Sequence, residues 1–152
     1  MISDYEHVLD PKHIVDYDDA LGVDCDQAPA DVAVFDIPFK CELQRVQAAV
    51  TEACAGATTK PAMKFDKRPT AGSDTGRGDG DMGELILGTT AAGKVVYDLV
   101  GRGQILLPGE EVVVQLTVQA TGTGAAGHFR PALVVKPLAE TLVNLSNMVE
   151  TT

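Results

Sequence analysis

Residues 111–119, "EVVVQLTVQ", constrain the fold more than any other stretch. Val112, Val114, Leu116 and Val118 fall on one side of an extended chain, and Val113, Gln115, Thr117 and Gln119 fall on the other. A period of two over this length predicts a half-buried β-strand and is incompatible with an amphipathic helix. The preceding "LPGEE" predicts a turn, with Pro108 and Gly109 at the central positions of a type II geometry.

The same texture continues on both sides. "AVFDIPFK" (33–40) is short and extended, and Pro38 suggests an edge position. "CELQRVQAAVTEA" (41–53) has two readings. Leu43, Val46 and Val50 fit a helical face, whereas Val46, Ala48 and Val50 alternate. The strand is favoured because β-branched residues and sheet-like neighbours flank it. "PAMKFDKRP" (61–69) alternates between two prolines and leads into a loop, 70–83, with five glycines. "ELILGTT", "GKVVYDLV" and "FRPALVVKPL" complete seven or eight short strands separated by turn signals. The expectation is an all-β, antiparallel β-sandwich or jelly-roll-like single domain with an extended N-terminal arm. The predicted boundaries are an acidic arm at 1–32, a β-sandwich at 33–140 and a C-terminal tail at 141–152 that forms at most a short helix. Hydrophobic residues make up 45% of the chain and aromatics 5%, so the interior is built from Val, Leu, Ile and Ala.

Charge separates the arm from the body. Residues 1–36 hold ten acids and one base, whereas 37–152 hold twelve acids and eleven bases. This balance excludes a nucleic-acid binder, which needs clustered Lys and Arg for phosphate contacts. No apolar run approaches the ~18 residues of a membrane span, and no signal peptide is legible in "MISDYEHVLDP". Cys25, Cys41 and Cys54 are odd in number and form no CxxC, so they read as buried thiols and not as a zinc or redox motif.

Several strings invite a chemical reading. Gly122, Gly124 and Gly127 in "TGTGAAGHFR" have the G-x-G-x-x-G spacing of a dinucleotide loop. That loop needs a helix after it to hold the pyrophosphate, and here "HFRPALVVKP" predicts a strand. The glycines are expected to serve a hairpin. Asp74-Thr75-Gly76 matches the aspartic-protease triplet but lacks the apolar strand that would hold its acid rigid. Arg77-Gly78-Asp79 is an integrin-type tripeptide in the same glycine-rich loop. Asp79, Asp81 and Glu84, and likewise Asp16, Asp18, Asp19, Asp24 and Asp26, could offer oxygens to calcium, yet neither set has EF-hand spacing. His128 could act as a base, but no nucleophile is identifiable with it. The sequence therefore assigns no catalytic, cofactor-binding or metal-ligating residue, and no cofactor.

The segment from "CELQRVQAAVTEACAGATTKPAMKFDKRP" through "GELILGTTAAGKVVYDLV" to "LLPGEEVVVQLTVQATGTGAAGHFRPALVV" resembles small virion proteins of tailed bacteriophages. The likeness lies in a Gly/Thr/Ala/Val-rich β body over roughly 33–137, with "TAAGKVVY", "LLPGEEV" and a Gly-rich last hairpin in that order. It implies an auxiliary capsid protein, a decoration or cement protein, made in the host cytoplasm and bound to the outside of the head. The implied partners are the major capsid protein and further copies of the same chain, as a homotrimer, with neither nucleic acid nor membrane involved. No catalytic residues are carried over. A tail or baseplate adaptor would share this texture. A small carbohydrate-binding β-sandwich is the third reading, weakened by the absence of Trp.

Overall fold

The computed structural model describes residues 5–14, 21–68 and 82–138. They form eleven strands: β1 His7–Leu9, β2 His13–Ile14, β3 Val23–Asp24, β4 Ala30–Asp36, β5 Cys41–Ala55, β6 Ala62–Arg68, β7 Gly83–Ile86, β8 Val95–Asp98, β9 Ile105–Leu106, β10 Glu111–Val118 and β11 Ala126–Pro137. All pairings are antiparallel and fall into two sheets. The first runs β1-β11-β5-β8, with β3 also on β11 and β9 also on β5; the second runs β2-β4-β10-β6-β7. The expected all-β sandwich is what the chain forms.

One core joins the two sheets. Phe35, Met63, Phe65, Val112, Val114 and Leu116 face it from the second sheet, and Leu43, Val46, Val50, Phe129, Leu133 and Val135 from the first. Phe35 and Phe65 lie with ring centroids 6.4 Å apart at the centre of the second sheet. Aliphatic side chains fill the remainder, as the low aromatic content requires.

β5 explains why its sequence has two periodicities. Opposite it, Val134 pairs with Arg45 but Val135 pairs with Leu43, so Gln44 is an extra residue on β5. A bulge of this kind inserts one residue and moves the next inward side chain from i+2 to i+3. Leu43 and Val46 therefore both face the core, a spacing that mimics a helix inside a continuous strand.

The connections correct two local expectations. The "TGTGAAG" loop is not a hairpin, because β10 belongs to the second sheet and β11 to the first. Its glycines serve the crossing: Gly122 and Gly124 have φ of 95° and 75°, and Thr58 N donates to Thr121 O at 3.0 Å, tying this loop to the β5–β6 crossover. Nor is β4 an edge strand, since β2 pairs with its outer side at Val34 and Ala33. The predicted turn before β10 is present: Glu110 N donates to Leu107 O at 3.1 Å and Gly109 has φ 91°.

The described residues of the 1–32 segment lie on the chain's own body. His7, Val8 and Leu9 pair with Val135, Val134 and Leu133, and Val23 and Cys25 are wholly buried in the common core. Strand β4 starts at Ala30, so the core continues across the expected boundary at residue 32. Lys12 Nζ adds an ion pair to Asp36 (2.9 Å) and to the buried Glu111 (2.7 Å). Residues 141–152 lie outside the described residues.

A candidate binding face on the first sheet

The outward faces of the two sheets differ. On the second, Val113 and Asp66 are buried at the centre of the face although the alternation of β10 aims them away from the core. On the first, Ala132 and Val134 are likewise buried on β11, and the open part lies towards β8, in rows set by the cross-strand register. Arg130, Ala49 and Val95 form one row across β11, β5 and β8; Ala132, Gln47 and Tyr97 form the next; Val134 and Arg45 begin a third. In a sandwich the solvent face of an antiparallel sheet is ordinarily polar. Here Val95 is 53% exposed, Tyr97 60%, Leu99 46% and Val100 67%.

The segment after β8 is held firmly in place. Asp98 Oδ1 accepts from Val100 N (3.1 Å), and its Oδ2 accepts from Glu84 N (3.0 Å) on β7. Gly103 N donates to Leu43 O and Leu43 N to Gln104 O, at 2.9 and 2.8 Å. Gly101 packs so closely on the Met82 backbone that no Cβ fits there. Residues 99–104 are thus fixed to both sheets, and Leu99, Val100 and Arg102 project from a rigid base.

Two shallow depressions share Arg45 and Leu99. One of about 520 Å³ is lined by Arg45, Gln47, Val95, Tyr97 and Leu99. The other, about 340 Å³, is lined by Glu6, Gln44, Arg45, Leu99, Arg102 and Lys136. Arg45 Nη1 meets Glu6 Oε2 at 3.0 Å and its Nε donates to Gln47 Oε1 at 3.2 Å. Arg102 and Lys136 make no ion pair among the described residues. The surface is apolar at one end and cationic at the other, and it is shallow and open, not an enclosed cleft.

The residues considered for chemistry are placed elsewhere. His128 Nδ1 lies 2.9 Å from Glu52 Oε1, which also accepts from Gly127 N at 3.0 Å. This pair closes the irregular start of β11, where the register shifts twice. Gly127, with φ 139°, lies against Cys25 and Cys54: a Cβ there would stand 3.3 and 3.2 Å from their sulfurs. The two thiols hydrogen-bond to each other; that bond and burial push Cys25 far up, while on Cys54 the bond outweighs the opposing effect of burial and draws the thiol down. Burial, with Glu110 nearby, raises the Cys41 thiol to about 11. All three cysteines are free and buried. Asp24 Oδ1 accepts from Asp26 N at 2.8 Å in a local turn. No group of three or more His, Cys, Asp or Glu is arranged to hold a metal among the described residues. Asp16, Asp18, Asp19, Asp79, Asp81, the Asp-Thr-Gly string at 74–76 and the Arg-Gly-Asp string at 77–79 lie outside the described residues.

Sequence reading did not single out this face. The alternation of Val95, Tyr97 and Leu99 is its only signal in the sequence, and the apolar Val96 between them obscures which side faces out. No family model, curated protein or solved structure matches the chain.

Proposed function

We propose that the chain is a non-enzymatic structural virion protein that binds the outer surface of a phage head and stabilises the capsid. The observation that carries this reading is the outward side of the first sheet, where Val95, Tyr97 and Leu99, all large, apolar and exposed, line one braced, shallow surface. Contiguous exposed apolar area on a small domain marks an interaction site. A platform without an enclosed pocket suits a macromolecular partner better than a small substrate. The order of "TAAGKVVY", "LLPGEEV" and "TGTGAAGHF" along the β body supports the same class. On a symmetric shell, many copies of a modest contact act together, so each face needs little affinity of its own.

The test is to mix the purified chain with phage heads assembled without it and to sediment the particles. Saturable co-sedimentation at a fixed ratio to the shell subunit, with a raised melting temperature of the heads, is expected. Heads that neither retain the protein nor gain stability at a protein concentration of about 100 µM would exclude the reading.

A further inference from the structure

We propose that this face receives an extended acidic segment of its partner, laid along β8 with carboxylates towards Arg45 and Arg102, in the field of Lys136, and apolar side chains on Val95, Tyr97 and Leu99. The inference deepens the binding role proposed above and rests on it for the identity of the partner.

Charge gives the first argument. The chain as a whole has 22 acids and 12 bases, yet this depression gathers three cations against one carboxylate, Glu6. Arg102 and Lys136 have no ion-pair partner among the described residues, and Glu6 occupies one side of Arg45. An anionic segment satisfies donors that the other described residues leave without an anion.

The second argument is the edge. β8 ends the first sheet's strand order and pairs with β5. Val50 N donates to Lys94 O at 2.8 Å, which places Lys94, Val96 and Asp98 in the set bonded to β5. By the alternation of an antiparallel ladder, the N–H and C=O groups of Val95 and Tyr97 then point outward. An added strand takes those groups, and its alternate side chains meet the exposed faces of Val95, Tyr97 and Leu99.

The same features disfavour other occupants. A second copy docked face to face about a two-fold axis would set each cationic end over the partner's apolar end and leave the cations without anions. A nucleic acid would use the cations but not the outward peptide groups.

The test uses the full chain, labelled with ¹⁵N, and a blocked synthetic peptide of alternating Glu and Val. A matching Lys/Val peptide and an oligothymidylate serve as comparators. Amide shifts at Val95, Tyr97 and Arg102 with the acidic peptide are expected, with affinity at least tenfold weaker in the double variant R102E/K136E. Unchanged melting temperature of that variant shows that its fold is intact, and Tyr97→Ala gives an independent reading of the apolar end. The proposal is overturned if the acidic peptide leaves these amides unmoved at about 1 mM, if the double variant binds it equally, or if either comparator binds as well.

Head binding separates the two ideas. Wild-type binding that R102E/K136E retains overturns the acidic-segment inference and leaves the virion role standing. Failure of the wild type on heads overturns the virion role, while the peptide titration still decides the chemistry of the face.

Discussion

Replacing Gly101 with alanine tests whether the 99–104 segment is braced as described. The added Cβ would stand 2.8 and 2.9 Å from the Met82 Cα and carbonyl carbon, and closer still to its carbonyl oxygen. Ordinary contacts begin near 3.4 Å, and every atom opposed is backbone, so no side-chain rotation relieves the clash. Overpacking of this kind costs ~1–3 kcal/mol, and the upper end applies where two backbone segments must part. The unfolded chain loses freedom with alanine, which offsets roughly 0.4–1 kcal/mol. A net loss of about 2 kcal/mol follows, or roughly 4–8 °C in melting temperature for a domain of this size. Thermal unfolding by far-UV circular dichroism, checked by urea titration, reads it directly. Gly103→Ala is the control: its φ is 96° but no heavy atom lies within 4 Å, so it carries only a conformational cost near 1 kcal/mol. The bracing argument fails if Gly101→Ala stays within about 0.5 kcal/mol of wild type or costs less than Gly103→Ala.

Three further outcomes are expected. Gly127→Ala combines φ 139° with a Cβ at 3.1 Å from Cys54 Cα and should cost about 2–3 kcal/mol in urea unfolding; a neutral variant would contradict the packing of β11 over the two thiols. The Cys41 thiol, raised from 9.0 to about 11, stays protonated in the folded state while the unfolded chain ionises, so stability should fall by roughly 2–3 kcal/mol as pH rises from 9 to 11. Cys41→Ala should make that alkaline limb shallower without removing it, since the Cys25 thiol is pushed up as well, and an unchanged slope would remove Cys41 as a contributor. Sedimentation equilibrium should give three times the 16.0 kDa chain mass if the proposed trimer forms, against a single-chain mass if it does not.

The sequence exposed what repeats locally and hid what depends on partners. β10 was legible because four alternating apolar residues suffice to define a strand, and the turn before it because Pro108-Gly109 favours one geometry. The positive φ of Gly122 and Gly124 was legible too, but not that the loop crosses between sheets, since a glycine reports its own dihedral and not the strand its neighbours will join. Val23 was lost among acids because strands of two or three residues are too short to show a period, whereas Cys25 was legible as a buried thiol. Gln44 broke the alternation of β5 for a reason visible only opposite β11. The binding face was the least legible feature. Its cations come from β5, β11 and the 99–104 segment, with Arg45 and Lys136 lying 91 positions apart, and only the sheet register assembles them.

The central claim is that this β-sandwich is part of a virus particle, bound in many copies to the head. Quantitative mass spectrometry of purified particles whose genome encodes the chain tests it most directly. The account predicts a fixed ratio to the major shell subunit, within a small factor of one. Absence from the particles, or only a handful of copies in each, would contradict it.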